Sequence, residues 1–331
     1  MPDVIVLSTG RCGSTLVTKF LASHPDVLGL SEFFAALPRE ALLPDSLNGR
    51  GFWDRLTGID HPVTRLHRLG LPLPSEALYG STGGRFPPGA VPAICVTTLP
   101  ALSDDPDSLF DELSRAVCGR PYAPMREHYR GMCAWLCRRL GGGVVVERSG
   151  ASLGKTAALR GLFPEAKYVL LLRDGMETSI SMSRRPLFRL AAQDQRRLRG
   201  GRRHIDAAGE QVAIEEFGRL WSGMICAGTS ALTGIPAEQL LVLTYEELVE
   251  DARAQLRRLA AFIGVDAFAE WLSECDEQVE PPPLRAGGLS EGDRAALRRS
   301  CAAGGRALHR FLAAHGASPG TDHRVGVRVA T

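Results

Sequence analysis

A glycine-bounded loop between a strand and a helix, near the start of the chain, constrains the fold more than any other stretch. Residues 4–7 are a run of aliphatic side chains that predicts a buried strand, and residues 14–21 predict the helix that follows. Gly10 and Gly13 let the intervening backbone approach an anion without a Cβ in the way. Consecutive N–H groups and the helix dipole make such a turn a phosphate or sulfate cradle, and Arg11 adds a positive charge. The alternative is a generic strand–turn–helix with a chance glycine pair.

This loop differs from the nucleotide triphosphatase loop, in which four residues separate two glycines and a lysine follows the second. Here two residues separate Gly10 from Gly13, and no lysine follows Gly13. Residues 150–156 match the nucleotide triphosphatase loop more closely but have one residue too few between the two glycines. We interpret them as the start of a helix near Ser152. ATP is therefore not the expected ligand.

The composition excludes several classes of protein. With 44% hydrophobic and 23% charged residues the chain is typical of a globular protein, and its net charge of +2 argues against a general nucleic-acid binder. No apolar run approaches a membrane span, and no basic leader precedes the first strand, so we expect a cytoplasmic protein. Cys133 and Cys137 can share one helix face, with His128 nearby, but the eight cysteines lack paired spacing and are interpreted as buried free thiols. We therefore expect no disulfide and no metal.

Polar side chains follow two more predicted strands. Residues 27–30 precede Glu32, and residues 144–146 precede Arg148 and Ser149. Parallel strands of an open α/β sheet bind ligands at their carboxyl ends, so both sets of side chains are expected beside the glycine loop. Glu32 is a candidate general base, with a solvated loop glutamate as the alternative.

A third strand leads into a second candidate anion site. Residues 168–172 predict a buried strand, Arg173 follows it, and Ser181 lies eight residues later on a predicted helix. A guanidinium and a hydroxyl presented by one turn can hold a phosphate from two sides.

Two motifs, in this order and about 160 residues apart, resemble those of the sulfotransferases that use 3′-phosphoadenosine 5′-phosphosulfate (PAPS). Residues 9–15, Thr-Gly-Arg-Cys-Gly-Ser-Thr, resemble the 5′-phosphosulfate loop of that family. Residues 163–181, with Phe-Pro-x-Ala-Lys-Tyr, a strand, Arg-Asp-Gly and the later serine, resemble its 3′-phosphate-binding region. The strand end at 147–149 and the stretch 241–248 are similar to two further features of the family.

The resemblance implies an α/β fold of the P-loop-like sulfotransferase type, with a central parallel sheet flanked by helices and a single domain over residues 1–331. Residues 36–130 are then a variable insert on the acceptor side. Residues 184–210 are a basic lid segment, or alternatively a solvated charged loop. The implied reaction moves the sulfuryl group of PAPS to a hydroxyl of a small-molecule, carbohydrate or natural-product acceptor and leaves adenosine 3′,5′-bisphosphate.

The resemblance also implies catalytic roles. Arg11 would act at the bridging oxygen, where tyrosylprotein-type and many bacterial members have arginine. Cytosolic members use a histidine within His-Leu-Pro as the base, and the counterpart here, residues 98–100, lacks the imidazole. This departure favours Glu32, whose position is similar to that of the catalytic glutamate of the tyrosylprotein and trehalose sulfotransferases. Arg148, with Ser149, would orient the sulfuryl group or the acceptor.

Alternatives to these assignments stay open. His61 and His67 are alternative bases. An ATP-dependent small-molecule kinase on a related fold, or an inactive protein that binds adenosine 3′,5′-bisphosphate, would be alternative functions.

The implied cofactor-binding residues come from the glycine loop, the turn after the third strand, and an Arg-Ala-Gly stretch that is loosely similar to an Arg-Lys-Gly element of the family. They are Gly10, Arg11, Cys12, Gly13, Ser14, Thr15, Arg173, Ser181 and Arg285.

Elsewhere, residues 36–125 show little periodicity and are expected to be mainly loop, with a short strand at 93–97. A further strand is expected at 240–244. Helices are predicted over 122–140, 210–232, 250–264 and 290–314.

Overall fold

The structure is a computed structural model that describes residues 2–79, 84–199, 212–279 and 288–315. Its strands are β1 (Val4–Ser8), β2 (Val27–Ser31), β3 (Ser46–Leu47), β4 (Ala123–Pro124), β5 (Val144–Arg148), β6 (Lys167–Leu172) and β7 (Leu240–Thr244). Five of them form a parallel sheet in the order β2-β5-β1-β6-β7, and β3 pairs with β4. The predicted α/β class with a central parallel sheet is confirmed.

The helices in the described ranges follow in chain order. They are α1 (Ser14–Ala22), α2 (Phe33–Ala36), α3 (Gly49–Leu56), α4 (Pro62–Arg68), α5 (Ala93–Val96), α6 (Thr98–Leu102), α7 (Pro106–Cys118), α8 (Met125–Leu140), α9 (Thr156–Leu162), α10 (Gly175–Ser183), α11 (Pro186–Leu198), α12 (Ile214–Leu232), α13 (Tyr245–Glu250), α14 (Ala252–Ile263), α15 (Ala269–Glu277) and α16 (Glu291–Ala314). Within these ranges, every helix is too short or too polar to serve as a membrane span.

The alternation of side chains along β1 divides the core into two halves. Ile5 and Leu7 point into a cluster with residues of α8, α9, α12 and α16, whereas Val4 and Val6 point into a cluster with residues of α1, α14 and α15. All four side chains are fully buried. Because helices cover both faces of the sheet, the strand is continuously apolar rather than alternately polar. The predicted helical layers on both sides of the sheet are therefore confirmed.

Two local predictions are wrong. Residues 93–97 are not a strand, because Ala93–Val96 form helix α5, whose side chains are all buried. A short apolar run has no periodicity that separates a buried strand from a buried helix turn. Residues 36–125 are not mainly loop, since they hold α3 to α7. The basic segment contains helix α11 from 186 to 198, and residues 200–211 lie outside the described ranges.

Candidate active site

The loop after β1 has the backbone conformation of an anion cradle. Gly10, Arg11 and Gly13 all have left-handed φ angles, of 72°, 59° and 86°. The Gly10 N–H donates to the Ser8 hydroxyl at 3.2 Å, which fixes the entry into the turn. Helix α1 begins at Ser14, and the described residues provide no side-chain cap for its N-terminus. The Gly13 carbonyl oxygen accepts from the Leu16 N–H at 2.9 Å, so the N–H groups that precede Leu16 are the ones placed to meet an anion.

Two aromatic rings lie against the glycines of this loop. A Cβ on Gly13 would be 2.2 Å from the ring of Tyr245, at the start of α13. A Cβ on Gly10 would be 2.5 Å from the ring of Phe188, on α11. Glycine is therefore required at both positions by contact as well as by the backbone angle.

Side chains from the end of β6 and from α10 contact the same loop. Arg11 Nε donates to Ser181 Oγ at 3.2 Å, and Arg173 Nη1 donates to the Arg11 carbonyl oxygen at 3.3 Å. The Arg173 guanidinium also lies 4.5 Å from the ring centroid of Tyr245. Two guanidinium groups, a hydroxyl and the glycine loop are thus gathered at the carboxyl ends of β1 and β6.

Glu32 lies at the carboxyl end of β2, at the edge of the sheet where β5 also ends. Its φ of 54° is left-handed, and it precedes α2 as the N-cap residue. One carboxylate oxygen, Oε1, forms an ion pair with Arg148 Nη1, and the other, Oε2, accepts from the Gly150 N–H at 2.9 Å. The carboxylate is therefore held by both charge and backbone.

Arg148 is itself held by side chains of two further elements. Its Nε donates to Thr18 Oγ1 on α1 at 2.5 Å, and its Nη2 donates to Ser31 Oγ on β2 at 3.2 Å. Only 5% of the Arg148 side chain and 17% of the Glu32 side chain are exposed. The guanidinium thus meets Glu32 from a fixed direction.

A second carboxyl group, that of Glu147, is buried on the opposite face of β5. Its Oε1 accepts from the Phe34 N–H at 3.2 Å and from Ser149 Oγ, and burial raises its pKa to about 8. Lys155 Nζ donates to the Phe34 carbonyl oxygen at 2.5 Å, and burial lowers the pKa of this amine. Both titratable groups face the segment that carries Glu32.

A family model described as "Sulfotransferase family" matches residues 99–270, just over half of the chain. The chain belongs to the sulfotransferase family. The matched range includes Arg148, Arg173 and Ser181 but ends before Arg285 and begins after Arg11 and Glu32. No protein of curated function matches the sequence of this sulfotransferase.

Solved structures with similar folds are distant in sequence. A sulfotransferase domain from the curacin biosynthetic pathway is 17% identical, with 96% of this chain and 99% of that chain covered and a TM-score of 0.49. A sulfotransferase from Alicyclobacillus acidocaldarius is 16% identical over 95% and 96% of the two chains, with a TM-score of 0.46. The sulfotransferase STF9 from Mycobacterium avium is 17% identical over 95% and 76%, with a TM-score of 0.48.

The predicted cofactor-binding residues of this sulfotransferase differ in how far their side chains are exposed to solvent. The Cys12 thiol is fully buried in the core, and burial raises its pKa, so its backbone is the part that a ligand can meet. The Ser14 side chain is buried, whereas Thr15 is exposed. Arg285 lies outside the described residues.

The alternative bases of the sulfotransferase lie on the segment before α5. The buried His61 ring accepts from the Thr64 N–H at 3.3 Å and contacts the Val91 carbonyl oxygen at 2.9 Å, and burial lowers its pKa. These contacts give His61 a helix-capping role at α4. His67 is exposed on the same helix. Thr98, the first residue of the stretch compared above with His-Leu-Pro, donates to the Ser31 carbonyl oxygen at 3.1 Å.

Several residues of the site in this sulfotransferase carry no motif of their own. Phe188 and Thr18 reach the site from helices, where the sequence shows only an aromatic and a hydroxyl residue on an ordinary helix. Ser149, predicted to act with Arg148, instead accepts from the Ala35 N–H at 2.9 Å and donates to Glu147. The sequence did contain one signal for this difference. Successive side chains of a strand point to opposite faces, so Glu147 and Ser149 are expected to face away from Arg148.

No cluster of three metal-ligating side chains occurs in the part of the chain that the structure describes.

Proposed function

We propose that this sulfotransferase moves the sulfuryl group of PAPS to a hydroxyl of a small-molecule, carbohydrate or natural-product acceptor and releases adenosine 3′,5′-bisphosphate. One observation carries the proposal, the 3.2 Å hydrogen bond between Arg11 Nε and Ser181 Oγ. It joins the loop that resembles a 5′-phosphosulfate cradle to the turn that resembles a 3′-phosphate site. A single nucleotide with phosphate groups at both ribose positions suits such a pair of sites.

The residues around the loop fit this ligand. The loop from Gly10 to Thr15 and the uncapped N-terminus of α1 would hold the 5′-phosphosulfate. Arg173 and Ser181 would hold the 3′-phosphate, with Arg285 as a further predicted contact. A guanidinium group binds phosphate well because it combines a positive charge with several N–H donors in fixed directions.

The chemistry assigned to the chain's own residues is proton removal and charge stabilisation. Bound PAPS supplies the sulfuryl group. Glu32 accepts the proton of the acceptor hydroxyl on a carboxylate oxygen, which makes the hydroxyl oxygen more nucleophilic. The Arg11 guanidinium stabilises the negative charge that develops on the leaving phosphate. Arg148 orients the Glu32 carboxylate through the ion pair.

We assign acceptor selection to residues 36–130 together with α11. Arg65 on α4 and Asp194 on α11 form a two-point ion pair, with N–O distances of 2.5 and 3.0 Å, that ties α11 to this segment. Phe188 on the same helix lies over Gly10. A wall made by these elements would therefore border the cradle directly.

The test is incubation of the protein with radiolabelled PAPS and a panel of hydroxylated metabolites. For an acceptor that becomes labelled, we expect Glu32→Gln to lower kcat by roughly 10²–10⁴-fold, because general base catalysis is lost. The dissociation constant of adenosine 3′,5′-bisphosphate, measured by calorimetry, should stay unchanged. Glu40→Gln, on an exposed glutamate eight residues away, is the matched control.

Two outcomes would contradict the proposal. If Glu32→Gln kept most of the turnover, Glu32 would not be the base. If phosphate from ATP and Mg²⁺ were transferred while PAPS was not used, the donor assignment would be wrong.

A further inference from the structure

Residues 147–150, which are the last two residues of β5 and the two that follow it, contact the segment from 32 to 35. Arg148 and Gly150 bind the Glu32 carboxylate through a side chain and a backbone N–H. Glu147 and Ser149, which alternate with them, bind the backbone that follows Glu32. This division follows from the two-residue period of a strand, which sends neighbouring side chains to opposite faces.

The segment after Glu32 depends on those contacts. Helix α2 has four residues, which is too short to be stable alone, and its first N–H groups have no acceptor within the helix. Glu147 Oε1 accepts from the Phe34 N–H, and Ser149 Oγ accepts from the Ala35 N–H. Lys155 Nζ donates to the Phe34 carbonyl oxygen, so both backbone groups of Phe34 are held by side chains.

The backbone of Glu32 needs support from its surroundings. A left-handed φ is unfavourable for a residue with a Cβ and persists only where neighbouring structure enforces it. The Glu32 N–H donates to the Arg148 carbonyl oxygen at 2.7 Å on one side. On the other side, the bonds to Phe34 and Ala35 determine where α2 begins, and hence the direction in which the Glu32 side chain leaves the chain.

Burying the Glu147 carboxyl group in the core is energetically unfavourable. Glu147 is fully buried, and its Oε2 has no hydrogen-bond partner among the described residues. Burying a polar group is unfavourable unless it forms hydrogen bonds, and an apolar side chain of the same size would avoid that cost. The acceptor function of Oε1 toward Phe34 and the contact with Ser149 are what an apolar side chain could not supply.

We propose that Glu147 and Ser149 are positioning residues, which hold the start of α2 so that the Glu32 carboxylate meets Arg148 and Gly150 in one fixed geometry. This inference rests on the proposed role of Glu32 as the base. Neither residue needs to touch PAPS or the acceptor. Their effect should therefore appear in the rate of transfer and not in nucleotide affinity.

The experiment compares Glu147→Gln, Glu147→Leu and Ser149→Ala with the wild-type protein. Glutamine keeps a carbonyl oxygen for Phe34 and Ser149, so we expect its kcat within about threefold of wild type, since the positioning bonds remain. Leucine removes the acceptor, and we expect kcat to fall by about 10²-fold, the effect of a misplacement of roughly 1 Å. Ser149→Ala should give a smaller loss in the same direction. The dissociation constant of adenosine 3′,5′-bisphosphate should not change.

A second measurement separates positioning from general destabilisation. In the Glu32→Gln background, Glu147→Leu should cause no further loss of the residual rate, because Glu147 acts through the carboxylate that is already absent. Equal losses with and without Glu32 would overturn the inference. If Glu147→Leu does not fold, Ser149→Ala in both backgrounds provides the same comparison.

Hydrogen exchange keeps this test distinct from the test of Glu32. We expect faster amide exchange at Phe34 in Glu147→Leu and at Ala35 in Ser149→Ala, with wild-type exchange in Glu147→Gln. Unchanged exchange at both amides would overturn the positioning role. By contrast, full activity of Glu32→Gln would disprove the base assignment and leave the exchange result intact.

Discussion

Arg148 and Glu32 form an ion pair across the carboxyl ends of β5 and β2, where Ser31 and Arg148 are in register. The guanidinium has only 5% of its side chain exposed, and two other side chains hold it in place. Such a pair gives less net stability than its geometry suggests, because both charges lose water. Its value lies in fixing the direction of the carboxylate.

Breaking this pair from one side should be costly. We expect Arg148→Met to lower the free energy of unfolding by about 3–5 kcal/mol, because the largely buried Glu32 carboxylate would lose the guanidinium that compensates for its burial. Urea denaturation followed by circular dichroism measures this. The control is Arg139→Met, whose pair with Glu112 is exposed to solvent and should contribute far less to stability. A similar loss in the two variants would contradict the importance of burial.

Ser181→Ala should weaken the binding of adenosine 3′,5′-bisphosphate by roughly tenfold, the usual effect of losing a hydrogen bond to a charged group. The Ser181 hydroxyl contacts Arg11 and is expected to meet the 3′-phosphate. Ser183→Ala is the matched control, because the Ser183 hydroxyl donates to the Ile180 carbonyl oxygen of the same helix. Calorimetric titration of both variants decides the matter, and equal affinities would count against the phosphate site.

Gly13→Ala should disrupt the anion loop. The added methyl group would meet the Tyr245 ring, and the φ of 86° is unfavourable for alanine. We expect a loss of at least about 1 kcal/mol in stability and a large loss of nucleotide affinity. Gly161→Ala serves as the control, since among the described residues outside its own helix no atom lies within 4 Å of where a Cβ would stand, and its φ is ordinary. Adding Tyr245→Ala to Gly13→Ala should restore only part of the lost stability. It removes the clash with the ring, but the unfavourable φ at residue 13 remains.

The stability of the protein should fall as pH rises from about 4.5 to about 8 because of Glu147. Its pKa in the folded protein is raised to about 8 from an ordinary 4.5, so the folded protein keeps a proton that the unfolded chain has lost. The charged or titratable groups around it are Glu32, Arg148, Lys155 and Tyr129.

Thermal unfolding across this pH range, with Glu147→Gln as the comparison, isolates the effect. The melting temperature of the variant should decrease less between pH 5 and pH 8 than that of wild type, since the amide does not ionise. Glu112→Gln is the control and should leave the slope between pH 5 and pH 8 unchanged, because the hydrogen bond from Arg139 lowers the pKa of that exposed carboxylate, which therefore titrates below this range. Parallel curves for wild type and Glu147→Gln would show that Glu147 does not titrate in this window.

Local sequence was sufficient to predict the strands of the main sheet and the loops that follow them. Residues 4–7 and 168–172 are continuous apolar runs, each followed by a glycine-containing turn, and both are strands. A run of four apolar residues at 93–96 gave the opposite result, because burial on all sides removes the periodicity that separates the two structures. Most of the helices within residues 36–125 were missed because they have eight residues or fewer, too few for a clear helical period, whereas α7, with 13 residues, was missed although its period is regular.

The sequence by itself was enough to predict the class of the sheet, and its resemblance to the family gave the proposed roles of Arg11, Glu32, Arg173 and Ser181. Only the tertiary structure showed that Arg148 reaches Thr18 and Ser31, and that Glu147 and Ser149 hold the start of α2. These partners are more than a hundred residues apart in the chain. They meet because β5 is inserted between β1 and β2, and the order of strands in a parallel sheet depends on long-range packing that local patterns do not encode.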